Sequence, residues 1–136
     1  MRFKLFDPLI KCIKSALPVF GTCAGLILLA KNIIGYNQAS FSALNITVAR
    51  NAYGPQIDSF ETDISIPCLG KEPFPAVFIR APIIKDIARD IQVLGLFQEK
   101  PVIVQQGKIL ATSFHPELTD DIRIHKYFIQ QICGLC

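Results

Sequence analysis

The chain has 136 residues, of which 51% are hydrophobic and 18% are charged; this composition excludes a disordered chain and suffices for one domain, residues 1–136, with a modest core. The formal net charge is only +3 and the 14 basic residues form no run, so we expect no nucleic-acid site. The richest apolar run, AGLILLA at residues 24–30, is far shorter than the ~20 residues of a membrane span, and charges interrupt the N-terminus, so we expect a cytoplasmic protein without a membrane segment or signal peptide.

The first third of the chain predicts two helices on either side of a short strand. The first helix starts at Asp7, the expected N-cap, and ends at Pro18. Residues 18–22 then form a short strand. A second helix follows over residues 23–34, and Gly35 closes it.

The rest of the chain predicts several strands and one last helix. Runs of β-branched and alternating apolar residues predict strands at residues 44–50, 56–66, 76–80, 91–97, 102–105 and 108–114. A turn is expected at residues 51–55, and Gln106-Gly107 suits a tight hairpin. The last helix runs from about residue 119 to 133, with Ile122, Ile129 and Ile132 on its core face. This order predicts an α/β domain with an antiparallel insertion.

Two general features leave alternatives open. The mean hydropathy of +0.39 fits either a parallel sheet that is buried on both faces or a chain that buries more surface against something else. A doubly wound fold usually opens with a strand, whereas this chain opens with a helix, so we expect that an upstream segment of the fold is missing. The five cysteines are expected to be mostly inert reduced thiols, and we predict no metal site.

The pentapeptide Gly21-Thr22-Cys23-Ala24-Gly25 carries the strongest chemical signal. It places a cysteine where a strand turns into a helix, in the G-x-nucleophile-x-G pattern of a nucleophile elbow, whose sharp turn requires small neighbours. The helix N-terminus is expected to lower the pKa of the Cys23 thiol, and the N–H of Ala24 to donate to an oxyanion. The alternative is a structural cysteine buried in a Gly-rich turn.

A second signal lies at His115-Pro116-Glu117, just past a predicted strand end. A cysteine nucleophile needs a base, and a carboxylate near the imidazole can fix its tautomer. The alternative is a loop histidine beside an exposed glutamate. Because active sites of open α/β sheets gather at the carboxyl ends of strands, Cys23 and His115 are expected to meet there. His125, inside a helix, is expected to be structural.

Four segments taken together resemble a known family. They are residues 18–31 (PVFGTCAGLILLAK), 50–61 (RNAYGPQIDSFE), 78–82 (FIRAP) and 110–119 (LATSFHPELT). In order and spacing they are similar to the glutaminase subunits of pyridoxal 5'-phosphate synthase, which are class I glutamine amidotransferases. The resemblance implies a flavodoxin-like, three-layer class I amidotransferase fold with a mixed sheet. It also implies that Cys23 is the nucleophile, His115 the general base and acid, and Glu117 the residue that orients His115.

The resemblance further implies a substrate and a partner. L-glutamine would be held partly through Arg50 and through Ile79 and Arg80; the alternative for both arginines is a surface salt bridge. Glutamine would be hydrolysed to glutamate and ammonia without a metal or organic cofactor. The ammonia would pass to a barrel-shaped synthase subunit, in a hetero-oligomer that builds pyridoxal 5'-phosphate, a form of vitamin B6.

Members of the family also carry an upstream segment that supplies a second oxyanion donor, and we expect this chain to lack it. Two alternative functions therefore stay open. The chain could dock on the synthase subunit without turnover, or it could be another cysteine hydrolase that shows no preference for glutamine.

Overall fold

The computed structural model describes residues 4–35, 37–49 and 59–135. The described helices are α1 (Phe6–Lys14), α2 (Ala24–Leu29) and α3 (Arg123–Tyr127), which continues as a π-helical segment, Phe128–Ile132. The described strands are β1 (Val19–Thr22), β2 (Ala30–Ile34), β3 (Leu44–Ala49), β4 (Ser59–Ile64), β5 (Phe74–Ile79), β6 (Ile83–Ile87), β7 (Gln92–Phe97), β8 (Lys100–Gln106) and β9 (Ile109–Thr112). The predicted turn at residues 51–55 and the start of the predicted strand at 56–66 lie outside the described residues.

The described strands form two mixed sheets and a hairpin. The larger sheet has the order β1-β9-β8-β7, in which β1 is parallel to β9 and the other pairs are antiparallel. The smaller sheet has the order β2-β3-β6, parallel and then antiparallel. Strands β4 and β5 form a separate antiparallel hairpin. This arrangement confirms the predicted α/β fold with a mixed sheet and antiparallel additions.

Two apolar clusters fix the segments on which the predicted catalytic residues lie. One cluster joins the β4–β5 hairpin, the larger sheet and the C-terminal helix, and Phe114 is fully buried in it against Phe74 and Phe78. The other cluster packs α2, through Leu26 and Leu29, against the strands of both sheets. Interiors are close-packed, so neither segment can shift without disturbing its neighbours. The residue before His115 and the helix after Cys23 are therefore both held by the core.

The C-terminal helix differs from its prediction. It begins at Arg123 rather than near residue 119, and it widens into the π-helical segment. Both differences change which side chains face the core, because Ile122 lies before the helix and the wider π turn alters the positions of the residues within it. Ile132 is buried as predicted, whereas Ile122 and Ile129 are 59% and 45% exposed, so their prediction as core residues was wrong. Ile124 is fully buried instead.

An arginine ties this helix to a loop on the other side of the cluster. The Arg123 guanidinium donates to the Asp121 carboxylate at 2.7 Å and to the backbone carbonyls of Glu72 and Pro73 at 2.9 Å each. The guanidinium also keeps the pKa of Asp121 below its ordinary value, chiefly by hydrogen bonding. The start of α3 is therefore held by a forked, charge-assisted contact.

Three further elements differ from their predictions. The second helix ends at Leu29, not residue 34, because Ala30–Ile34 pairs with β3 as strand β2, and pairing overrides local helix propensity. Strand β6 was missed: it starts right after the proline that was expected to end strand structure. The first helix has Leu5 rather than Asp7 at its N-cap and ends at Lys14. Asp7 instead lies in the first turn, where its charge suits the helix dipole.

Candidate active site

Cys23 lies at the sharp corner between β1 and α2. Its backbone has φ 52° and ψ −100°, a conformation that residues other than glycine adopt at a cost in strain. The backbone N–H of Cys23 donates to the carbonyl of Thr112 at 2.8 Å, which holds the corner against strand β9. The side chain is half-buried rather than enclosed. These features match a nucleophile elbow and not a structural cysteine in a core.

The two glycines of the motif have different roles. A Cβ on Gly21 would lie 2.7 Å from Leu29 Cδ1 and 2.9 Å from the carbonyl carbon of Gly25, closer than packed atoms come. A Cβ on Gly25 would meet nothing within 4 Å. The expectation that both neighbours must be small therefore holds only for Gly21. Its missing side chain allows α2 to fold back closely over β1.

His115 and Glu117 form a direct pair. Nδ1 of His115 and Oε2 of Glu117 lie 2.7 Å apart. Glu117 is in the short 3-10 turn Pro116–Leu118, which brings its carboxylate back to the ring two residues upstream. A carboxylate on Nδ1 leaves Nε2 as the ring nitrogen that can exchange a proton with a reacting group. The predicted base and its orienting residue are thus in contact.

The fold brings Cys23 and His115 to the same edge of the larger sheet. Strands β1 and β9 are parallel neighbours with Thr22 opposite Thr112; Cys23 directly follows β1, and His115 lies three residues beyond the end of β9. Strand β5 contacts both: Cys23 Sγ lies 3.7 Å from the carbonyl oxygen of Ile79, and the His115 N–H donates to the carbonyl of Val77 at 2.8 Å. Carbonyls two residues apart in a strand are separated by only about 6.6 Å.

The environment of the thiol differs from the expectation for its pKa. Burial raises the pKa of Cys23, the N–H of Ala24 lowers it, and the negative charge of Glu117 raises it further. The net direction is upward. The N–H of Ala24, at the helix N-terminus, lowers the pKa as predicted, but the expected net lowering was wrong, because one N–H of a six-residue helix does not offset the loss of water around the sulfur. The effect of Glu117 also shows that its charge lies close enough to reach the sulfur.

The remaining predicted site residues fall into three groups. The N–H of Ala24 lowers the pKa of the Cys23 thiol, which agrees with a donor near the sulfur, and its role toward an oxyanion stays a prediction. Ile79 and Arg80 are exposed, Arg80 has φ 45°, and within the described ranges Arg80 makes no ion pair. Arg50 lies outside the described residues. The role of these residues in substrate binding stays a prediction.

His125 lies in α3 and packs against β1. Its ring packs edge-on against Phe20 with 5.4 Å between ring centroids, in agreement with the structural role expected for it. Among the residues that the structure describes, no three His, Cys, Asp or Glu side chains are close enough together to hold a metal ion. Over the same residues, no helix is long and apolar enough to cross a membrane.

Sequence comparison identifies the family of the chain. The model of the SNO glutamine amidotransferase family matches residues 1–134. The chain belongs to this family. Among curated relatives of this amidotransferase, "Pyridoxal 5'-phosphate synthase subunit PdxT" of Kosmotoga olearia is 56% identical over 134 residues, which cover 98% of this chain and 70% of the relative. The protein of the same name from Thermotoga neapolitana is 53% identical and matches over 93% of this chain and 67% of its own length.

Solved structures agree with the assignment of this amidotransferase. The crystal structure of a glutamine amidotransferase superposes with a TM-score of 0.91 at 44% identity, covering 98% of this chain and 70% of that one. A glutamine amidotransferase from Thermotoga maritima, only 19% identical, superposes with a TM-score of 0.58 over 95% of this chain and 52% of that one, and supports the fold alone. The predicted class I glutamine amidotransferase fold is thereby confirmed.

Sequence reasoning missed two residues that build the site through their backbones. The carbonyl of Val77 accepts a hydrogen bond from the N–H of His115, and the carbonyl of Thr112 accepts one from the N–H of Cys23. Neither side chain carries a chemical signal in the sequence. Their positions could have been suspected only from strand pairing, because Thr112 is the register partner of the residue before Cys23.

Proposed function

We propose that the chain is the glutaminase subunit of a pyridoxal 5'-phosphate synthase and hydrolyses L-glutamine to L-glutamate and ammonia. The observation that carries this function is the identity above 50% with several PdxT subunits over more than 90% of the chain. The local geometry is consistent with it, since a strained cysteine corner and a His–Glu pair lie at one sheet edge.

The reaction follows from three side chains with separate roles. His115 takes the proton of the Cys23 thiol, and the sulfur bonds to the side-chain amide carbon of glutamine while the carbonyl becomes an oxyanion. The C–N bond then breaks, and His115 returns the proton so that ammonia leaves. Water attacks the resulting thioester with His115 as base, the C–S bond breaks, and glutamate and the free thiol are released. Glu117 orients the ring and stabilises its charged form.

The raised pKa of Cys23 gives His115 a necessary part in the first step. Burial is the main cause of this rise, so at neutral pH the thiol keeps its proton in the resting site. A base must therefore remove the proton as glutamine arrives, rather than find a thiolate already formed. The Ala24 N–H, which interacts with the sulfur, is the described donor placed to stabilise the oxyanion on the adjacent carbon.

Glutamine binding is assigned to the segment that follows β5 and to Arg50. The carbonyl of Ile79 lies 3.7 Å from the reacting sulfur, so the backbone there borders the site. The positive φ of Arg80 turns the chain sharply at this point. Arg80 has no ion-pair partner among the described side chains, which leaves its guanidinium available for a carboxylate. We assign Arg50 and Arg80 to the α-carboxylate end of the substrate.

Besides its substrate, the protein is expected to bind a synthase subunit. Ammonia is a reactive product, and a relative that is named as one subunit of a synthase implies another that consumes it. We expect a hetero-oligomer with a barrel-shaped synthase, as the resemblance implies. A role in docking alone is not favoured, because docking would not require a strained cysteine and a paired imidazole at one edge.

Turnover in the presence of the synthase subunit tests the proposal. The chain is mixed with a synthase subunit and glutamine, and glutamate release is measured for the unchanged protein, Cys23→Ser and Cys68→Ser. Cys68 is an exposed thiol on a separate turn, so it is a matched control. We expect turnover by the unchanged protein and by Cys68→Ser, and at least a 10³-fold loss in Cys23→Ser. Equal rates in the two variants would refute the role of Cys23, and docking without any turnover would refute the glutaminase function.

A further inference from the structure

Thr112 connects the two halves of the candidate site. Its backbone carbonyl accepts a hydrogen bond from the N–H of Cys23 at 2.8 Å, which fixes the corner between β1 and α2. Through its side-chain hydroxyl it donates to the carbonyl of Phe114 at 2.7 Å, in the segment that leads into His115. The side chain is fully buried, so this hydroxyl has no access to water. One residue therefore contacts the backbone of both reacting segments.

The hydroxyl contact lies at the point where strand β9 ends and its chain must turn. Beyond Thr112 the next residue still bonds to β8, through the Ser113 N–H and the carbonyl of Val102. Two residues later, the N–H of His115 donates to the carbonyl of Val77 on β5, outside the larger sheet. The Thr112–Phe114 hydrogen bond spans this change of partner. A buried donor and acceptor that lose each other cannot be satisfied by solvent, so they favour a single geometry.

We propose that Thr112 is a positioning residue for glutamine hydrolysis, whose buried hydroxyl sets the path of residues 113–115 and so places His115 relative to Cys23. This inference rests on the proposed glutaminase function and extends it. Thr112 touches neither reacting atom, so it acts through His115. A displacement of about 1 Å between reacting groups can cost roughly 10²-fold in rate, which is the upper range of the effect that losing this contact can have.

Three substitutions separate positioning from packing. Thr112→Val keeps the shape of the side chain and removes the hydroxyl, whereas Thr112→Ser keeps the hydroxyl and removes a methyl group. Ser113→Ala is the matched control, because Ser113 is also fully buried but its hydroxyl makes only a 3.5 Å contact to the Val102 carbonyl on β8 and not to the backbone of Phe114 or His115. We expect kcat to fall about 10- to 100-fold in Thr112→Val with little change in KM for glutamine. Thr112→Ser should restore most of the rate, and Ser113→Ala should stay near the unchanged protein.

A second measurement does not depend on turnover. The chain has two histidines, so NMR signals of the imidazole rings distinguish His115 from His125, which packs against Phe20. The His115 signal should shift or broaden in Thr112→Val and return in Thr112→Ser, while the His125 signal stays in place. An unmoved His115 signal, an unchanged rate in Thr112→Val, or a Thr112→Ser as slow as Thr112→Val would overturn the inference. If the unchanged protein lacks glutaminase activity but the His115 signal still shifts in Thr112→Val, the proposed function is refuted. The placement of His115 by Thr112 would then still hold.

Discussion

The two glycines of the elbow give a sharp prediction, because the structure assigns them opposite effects on stability. In Gly21→Ala the new methyl group meets one movable atom, Leu29 Cδ1 at 2.7 Å, and two backbone atoms of Gly25 at 2.9 and 3.0 Å. The leucine can rotate, although it is 2% exposed and closely packed. The backbone contacts can be relieved only by lifting α2 from β1. Such overpacking costs about 1–3 kcal/mol, and we expect the upper half of that range.

Gly25→Ala should do the reverse. Its Cβ meets no described atom within 4 Å, and the residue lies inside α2. Alanine is favoured over glycine in a helix, so the free energy of unfolding should rise by about 0.5–1 kcal/mol. Urea unfolding of the two variants and the unchanged chain measures the difference, which should reach about 3 kcal/mol. If both variants lose equal stability, then a general need for small flanking residues, rather than this packing, is the correct explanation.

Two predictions concern the charge on the thiol. In Glu117→Gln, loss of the negative charge should lower the pKa of Cys23, so alkylation of Cys23 at pH 8, followed by mass spectrometry, should become faster. Turnover should fall by roughly 10²–10⁴-fold because the ring loses its orienting carboxylate; slower alkylation in this variant would contradict the assigned electrostatics. In the unchanged chain, burial and then Glu117 raise the pKa of Cys23 above 9.0, so its contribution to stability is complete below pH 9 and is lost as pH rises through the raised value. The urea midpoint should therefore fall above pH 9, and fall less in Cys23→Ser; an identical decline in both would show that other groups cause it.

Local sequence patterns were sufficient for the elements next to the chemistry. The apolar run before Gly21 predicted β1, and Gln106-Gly107 predicted the turn between β8 and β9, which lies one residue later, at residues 107–108. These signals are local, since turn residues and strand propensity act within a few positions. Cys23 and His115 were predicted as site residues for the same reason. Each closely follows a strand that its own neighbours specify.

The missed features depend on partners that are distant in sequence. Residues 30–34 continue a helical apolar pattern, and only pairing with β3 makes them a strand. The pKa of Cys23 was predicted from the helix that follows it, whereas its main determinant is burial by the surrounding fold. Burial depends on contacts with residues distant in sequence, which a short stretch of sequence around Cys23 does not contain. The sign of a pKa shift is therefore harder to predict from a motif than the identity of the titrating group.

Strand β5 shows the limit of motif reading most clearly. The F-I-R-A-P segment, which begins on this strand and continues past its end, resembles the family at Ile79 and Arg80. The contacts that the strand makes to the site, however, come from two backbone carbonyl groups, at Val77 and Ile79. Every residue carries a carbonyl, so no side-chain pattern can mark these two. They matter because they point to the same side of one strand and lie about 6.6 Å apart. Cys23 and His115 come from distant segments, and both contact this strand, Cys23 through its sulfur and His115 through its backbone N–H, so the spacing of the strand constrains the positions of both segments.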